Sequence, residues 1–377
     1  MNKDKIFLSW LSPLKFVLTC LIVYIHSYNA QNYGLIYNLG IHSSTLWIED
    51  IVSQNLAHIA VPLFFAISGY LYFRTLTFAN LKEKLKRRVS SLCVPFIIWN
   101  AIYFLLFYII THVPMIADTL NSTAVVEFDY KSLVGALFFY KQNYIMWFVY
   151  QLILYVFFLG PCLLLILKNI YVSLLTILIL AVVYSIGYLE LPNLSENTMM
   201  IGIYPDMLAY FIFGGFLSIY EIIPPSKLDR KKAKIIALLC FIVSQVIWSF
   251  NHAEYKDWYL YSLNFLFNII SICSILFFIS SFSDKHKSNI NIFDYSFFIF
   301  AIHPFLLECV QKAFYINLTH SEWVALIDYI LSPMITICIC VVIGKLIRKM
   351  SYPLYKYLED DNNYESTDLF RREPFSP

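Results

Sequence analysis

Ten long apolar segments, spread over the whole chain, limit this sequence to one kind of fold. Each has about 17 to 24 residues, enough for a helix to cross ~30 Å of hydrocarbon. Charged residues make up 14% of the chain and the mean hydropathy is +0.66, whereas soluble domains carry about 25% charged residues. The sequence therefore predicts an all-α, polytopic integral membrane protein with about ten transmembrane helices in the lipid bilayer, without a nucleic-acid partner. The predicted spans are residues 11–30, 56–73, 92–113, 146–167, 171–190, 204–221, 234–251, 259–281, 292–311 and 324–347.

The positions of the Lys and Arg residues predict how the chain is oriented. Of the 27, 22 lie at one set of segment ends, four lie at the opposite ends, and Lys15 lies inside the first segment. Because cytoplasmic loops are enriched in Lys and Arg, we expect both termini in the cytoplasm, which requires an even number of spans. We further expect a single membrane-embedded domain over residues 1–350 and a polar cytoplasmic tail over residues 351–377, disordered at its end.

Two ionisable residues share one face of the first span. In a helix, His26 lies roughly 16 Å along the axis from Lys15 and within ~20° of three whole turns. Ionisable groups inside a membrane are costly and often line a cavity or a reaction path. An alternative stays open on spacing alone, in which the imidazole is hydrogen-bonded to a neighbouring helix and the ammonium group extends to the lipid headgroups.

Four further ionisable residues are expected at a depth similar to that of His26. His58 and Asp206 begin their spans from the outer side, and an interfacial position in contact with water is the simpler interpretation for both. His303 and Glu308 lie in the outer half of the ninth span, about 140° apart around the helix. A histidine and a carboxylate at the same depth form the kind of pair that acts as a general base and its orienting partner.

A basic stretch, Lys82–Arg88, precedes the third span. Such a stretch anchors a helix end at anionic lipids, and guanidinium groups also match phosphate oxygens; composition leaves both roles open. We found no phosphate-binding glycine loop, dinucleotide fingerprint or Cys–His metal spacing in a usable context. We therefore expect no metal and no permanently bound cofactor.

Six segments, in order along the chain, carry a family resemblance. They are Lys15-x10-His26, Val61–Tyr70 (VPLFFAISGY), Arg87-Arg88 followed by Leu92–Pro95 (LCVP), Met146–Tyr150 (MWFVY), Tyr210–Gly214 (YFIFG) and Ile299–Pro304 (IFAIHP). Together they resemble the acyltransferase-3 family of bacterial integral-membrane acyltransferases, which modify cell-envelope glycans. Ser91 stands where the family has the second Arg of its Arg-x-x-Arg motif, and Ile145 stands where relatives often have His.

The resemblance implies an O-acyltransferase of the bacterial cytoplasmic membrane. It would take an acyl group, with acetyl expected, from cytoplasmic acyl-coenzyme A as co-substrate and pass it to a hydroxyl of a glycan or lipid-linked sugar. His26 would be the general base, while Lys15, Arg87 and Arg88 would hold the phosphates of the coenzyme. Candidates for the substrate pathway are His303, Glu308, Asp206, His58 and Trp147.

A second function stays open, that of an exporter or flippase component for a polysaccharide or lipid-linked sugar. The same polar residues would then line a transport pathway. The sequence also leaves open whether the chain acts as a monomer or as a homo-oligomer.

Overall fold

A computed structural model describes residues 3–34, 43–113, 125–190, 202–224, 229–250, 258–284, 291–318 and 321–358. Within these ranges the chain forms helices and connecting segments, with no β-strand. In hydrocarbon an α-helix satisfies all of its backbone hydrogen bonds internally, which suits a sequence dominated by long apolar runs. The prediction of an all-α, polytopic membrane protein is confirmed.

The helices follow one another along the whole described chain. They are α1 (Lys3–His26), α2 (Ser44–Glu49), α3 (Ala60–Arg74), α4 (Leu81–Arg88), α5 (Val94–His112), α6 (Tyr130–Phe139), α7 (Trp147–Ile153), α8 (Gly160–Ile166), α9 (Ile170–Glu190), α10 (Pro205–Ile219), α11 (Arg230–Ser249), α12 (Trp258–Ser280), α13 (Ser296–Asn317), α14 (Glu322–Met350) and α15 (Tyr352–Leu358). Wider π-helical stretches at Asp50–Leu56, Val89–Cys93 and Leu154–Leu159 join neighbouring α-helices.

Eight helical segments of the described chain are long and apolar enough to cross a membrane. Two shorter apolar helices, Ile170–Ile186 and Pro205–Ile219, coincide with the fifth and sixth predicted spans, so each of the ten predicted spans has a helical counterpart. At ~1.5 Å per residue, α10 is only about 22 Å long, less than the hydrocarbon thickness. The total of ten spans and the cytoplasmic placement of both termini stay predictions.

The described residues separate into two compact units. The first comprises residues 1–76, 163–190 and 205–346, and the second comprises residues 77–162, 191–204 and 347–377. In the first unit, α1 packs against α3 and α13, and an ion pair between Asp4 and Arg74 joins the start of α1 to the end of α3.

The closest helix packing in the first unit is between α3 and α10, where two glycines meet the opposite backbone. A Cβ at Gly69 would lie 1.9 Å from the carbonyl oxygen of Phe211, and a Cβ at Gly214 would lie 1.8 Å from that of Ala66. Membrane helices gain little from the hydrophobic effect when they associate, so small residues that allow close van der Waals packing stabilise the pair. Both glycines belong to the segments that carry the family resemblance.

In the second unit, α5 is held by hydrogen bonds at its polar side chains. The indole Nε1 of Trp99 donates to the carbonyl oxygen of Leu358 at 2.9 Å, which joins α5 to α15. Asn100 Nδ2 lies 3.4 Å from the carbonyl oxygen of Leu137 in α6. The first residues of the predicted tail therefore form a docked helix, while its predicted disordered end lies outside the described residues.

The glycine contacts lead to a stability prediction. We expect Gly69→Ala to lower the free energy of unfolding by about 1–3 kcal/mol or more. The new methyl group meets a backbone oxygen, which can move away only if the helices separate. Gly135→Ala is the matched control, since a Cβ there meets only Lys141 side-chain atoms at 3.6 Å or more. Thermal unfolding of both variants in detergent measures the difference; equal midpoints would contradict the close-packing account.

Candidate active site

Two histidines from different helices of the first unit lie side by side. His26 is the last residue of α1, and His303 lies in α13. Their ring centroids are 5.4 Å apart and the ring planes are inclined by 40°. His26 is half-buried, whereas His303 has no exposed surface. The structure thus brings together the predicted base and one of the predicted pathway residues.

The Pro that follows His303 explains how its ring is held. An α-helix donates each backbone N–H to the carbonyl four residues earlier, and proline has no N–H to donate. Pro304 therefore leaves the carbonyl of Phe300 without its usual partner. The Nδ1 atom of His303 lies 2.8 Å from this oxygen and 3.2 Å from the carbonyl oxygen of Ile299.

This contact also fixes the tautomer of His303. A carbonyl oxygen only accepts hydrogen bonds, so Nδ1 must carry the proton and donate it. In the neutral ring the lone pair is then on Nε2. That atom is buried and has no hydrogen-bond partner within the described ranges.

Lys15 lies on α1, three turns before His26, as its spacing predicts. It is half-buried. No hydrogen bond or ion pair of its ammonium group is found among the described residues. Its position on the same helix as His26 keeps it a candidate for binding an anion.

The segment that follows His26 is fixed by two buried carboxylates that sequence reasoning missed. Glu49, at the end of α2, is fully buried and accepts from the backbone N–H of Ala30 at 3.3 Å. Asp328, in α14, is 1% exposed and accepts from Asn29 Nδ2 at 2.7 Å and from the Tyr33 hydroxyl at 3.2 Å. The sequence did contain a signal for Asp328, because an Asp inside a long apolar span is rare and needs a partner.

The end of α1 itself is held by two further side chains. The last carbonyls of a helix have no partner within it, and the carbonyl oxygen of Tyr24 accepts from the Ser53 hydroxyl at 2.9 Å. Gln311, on the same helix as His303, donates to the carbonyl oxygen of Ser27 at 2.7 Å. The residues on both sides of His26 are therefore fixed by other helices of the first unit.

The other predicted residues of the first unit have separate environments. Asp206, in the first turn of α10, is only 6% exposed, and its Oδ1 atom has no partner in the described part of the chain. His58 is half-buried in the turn before α3. Glu308 forms an ion pair with Lys312 one turn further along α13, with nitrogen and oxygen 3.2 Å apart. Its side chain is 52% exposed, and no contact between it and either histidine is found among the described residues.

Three predicted residues belong to the second unit. Arg87 is exposed and pairs with Glu83 along α4, at 2.5 Å. Arg88 ends the same helix and is half-buried. Trp147 begins α7, and its ring centroid lies 5.3 Å from that of Tyr204.

Comparison with known proteins decides the family. A sequence model described as an acyltransferase domain, that of the acyltransferase-3 family, matches residues 8–345, which is most of the chain. The protein belongs to the acyltransferase-3 family. The family match contains His26 and His303, as well as the glycines that join α3 to α10.

One curated relative is similar to part of the chain. It is the succinoglycan biosynthesis protein ExoH of Rhizobium meliloti (strain 1021), with 31% identity over 116 residues. The match covers 29% of this chain and 30% of the relative. No solved structure matches the chain significantly.

The buried carboxylate in α14 gives a stability prediction. We expect Asp328→Leu to destabilise the protein by several kcal/mol, because each buried donor left without an acceptor costs about 1–3 kcal/mol. Asp328→Asn is the matched control: its amide oxygen still accepts from Asn29 and Tyr33, and its NH₂ group can donate to the Ser332 hydroxyl, which now bonds the carboxylate. Thermal unfolding in detergent compares the two, and the account fails if both variants unfold at the same temperature.

Proposed function

We propose that this member of the family is an O-acyltransferase of the bacterial cytoplasmic membrane. It transfers an acyl group, with acetyl as the proposed group, from cytoplasmic acyl-coenzyme A to a hydroxyl of a cell-envelope glycan or lipid-linked sugar. The observation that carries this proposal is the contact between His26, at the end of α1, and His303, in a chain that matches the model of an acyltransferase domain. The family match supports an enzyme over the exporter.

The acceptor is proposed from chemistry and from the relative. The relative's name assigns it to succinoglycan biosynthesis, which supports a glycan acceptor for this chain as well. The hydroxyl of a sugar is a weak nucleophile and needs a base to remove its proton as it attacks. An imidazole is the side chain that most often does this near neutral pH.

His26 supplies that base in the proposed mechanism. As the sugar oxygen attacks the thioester carbonyl carbon, its proton moves to the imidazole of His26. The carbon–sulfur bond then breaks, and the proton passes to the departing thiolate, which leaves as the free thiol of coenzyme A. The ring returns to its neutral form, so the cycle consumes no proton.

The phosphates of the coenzyme need cations, and Lys15, Arg87 and Arg88 are the proposed candidates. Lys15 of the first unit has no anion among its described neighbours, and it lies about three helical turns from His26. In the second unit, Arg87 presents an exposed guanidinium group whose present partner, Glu83, is itself exposed. Exposed ion pairs contribute little energy, so a phosphate can replace the carboxylate at low cost. Arg88, next in sequence, is proposed for the same role.

The central prediction concerns His26→Gln, which keeps a hydrogen-bonding side chain but removes the basic nitrogen. We expect normal protein levels and a transfer rate reduced by about 10²–10⁴-fold, the loss expected for a missing general base. The assay follows labelled acyl groups from acetyl-coenzyme A onto alkali-treated envelope glycan, with the purified protein in lipid nanodiscs.

A matched control is His112→Gln. His112 is also the last residue of its helix, α5, but it is exposed, and its Nδ1 atom lies 2.9 Å from the carbonyl oxygen of Tyr108 in the same helix. It should transfer at the wild-type rate. A stable His26→Gln protein with wild-type transfer would refute the proposed mechanism.

A further prediction concerns the donor. Replacing Arg87 and Arg88 with Gln should raise the KM for acyl-coenzyme A more than it lowers kcat, because phosphate contacts contribute equally to ground-state and transition-state binding. The control replaces Lys231 and Lys232, two exposed cations at the start of α11. An unchanged KM in the arginine variant would mean that Arg87 and Arg88 do not bind the coenzyme and serve only as an anchor at the membrane surface.

A further inference from the structure

The Nε2 atom of His303 is one of several buried side-chain atoms of the first unit that lack a hydrogen-bond partner among the described residues, and its ring lies beside that of His26. Buried polar side-chain atoms almost always have a hydrogen-bond partner, and this one has none among the described residues. Its lone pair can accept a hydrogen bond but cannot donate one, because the Phe300 carbonyl holds the ring proton on Nδ1. The atom is therefore a fixed acceptor inside the protein.

His26 lies in the right place to supply the donor. Two imidazoles joined by an N–H···N bond with nitrogens ~3 Å apart have ring centres about 5 Å apart. The observed separation of the centroids is 5.4 Å, so a small rotation of the half-buried His26 ring is enough to form such a bond. The His303 ring is held by α13 and need not move.

We propose that His303 is the positioning residue for His26. In the reacting state, one ring nitrogen of His26 donates a hydrogen bond to Nε2 of His303, and the other nitrogen of His26 then carries the lone pair that faces the sugar hydroxyl. This inference rests on the proposed function, in which His26 is the base. His303 itself does not touch the substrate.

The arrangement follows the general rule that a catalytic base is oriented by a third group. Here the chain of contacts runs from the Phe300 carbonyl to Nδ1 of His303, and from Nε2 of His303 to His26. When His26 takes the hydroxyl proton it becomes an imidazolium, and the same hydrogen bond then stabilises its charge. The proton leaves His26 for the thiolate, and His303 keeps its tautomer throughout.

Two substitutions separate positioning from a purely structural role. In His303→Asn the amide can still donate to the Phe300 carbonyl, as Nδ1 does, but no acceptor reaches the position of Nε2. In His303→Gln the longer side chain can place its oxygen near that position. A positioning role requires the acceptor, whereas a structural role requires only the bond to the Phe300 carbonyl.

We expect His303→Asn to lower kcat by about tenfold to hundredfold, the loss that a misplaced catalytic group causes. The KM for acetyl-coenzyme A should stay within about twofold, since the donor's binding is not affected. His303→Gln should recover most of the lost kcat. The measurements use the purified full-length protein in lipid nanodiscs, with alkali-treated envelope glycan as acceptor.

The decisive comparison is a double-mutant cycle with His26→Gln. If His303 acts only through His26, then His303→Asn has no further effect once His26 is replaced. An equal loss in both backgrounds, or a fully active His303→Asn protein, would overturn the positioning role and leave His26 as the base. Wild-type transfer by His26→Gln would instead refute the proposed function, and this inference with it.

Discussion

A bilayer offers no water to a polar group, so each polar group inside the membrane must find its partner within the protein. The carbonyl of Phe300 is the clearest case. Pro304 removes the N–H that would have satisfied it, and the ring of His303 donates instead. A single proline thus fixes one histidine in position and in tautomer, and this histidine stands beside His26. The geometry of the candidate site therefore depends on one hydrogen bond, in which the His303 side chain replaces the missing backbone donor.

The same constraint organises the surroundings of the site. Glu49 and Asp328 are both fully buried, and each accepts hydrogen bonds from the segment that follows His26. Close packing also joins helices of the first unit. At two glycines, Gly69 and Gly214, the backbones of α3 and α10 come into contact. Polar contacts and close packing thus hold the first unit together around the end of α1, and the hydrophobic effect contributes little to either.

The parts of this structure that depend on local sequence could be predicted, and the parts that depend on distant contacts could not. The apolar runs identified the helices because a membrane span needs a fixed length of apolar sequence. The face shared by Lys15 and His26 followed from helical periodicity alone. The sequence predicts an approximate depth for His303, which stays a prediction, but it does not predict the contact between His303 and His26. Nor does it predict the contact between Asn29 and Asp328, which are 299 residues apart in sequence, because no local pattern specifies which helices pack together.

We propose that this protein modifies a glycan and does not export one. Mass spectrometry of envelope glycans, from cells with the gene and from cells without it, tests this most directly. We expect a glycan that reaches the cell surface in both strains and carries an alkali-labile acyl ester only when the gene is present. An unmodified glycan in both strains, retained inside the cells that lack the gene, would contradict it.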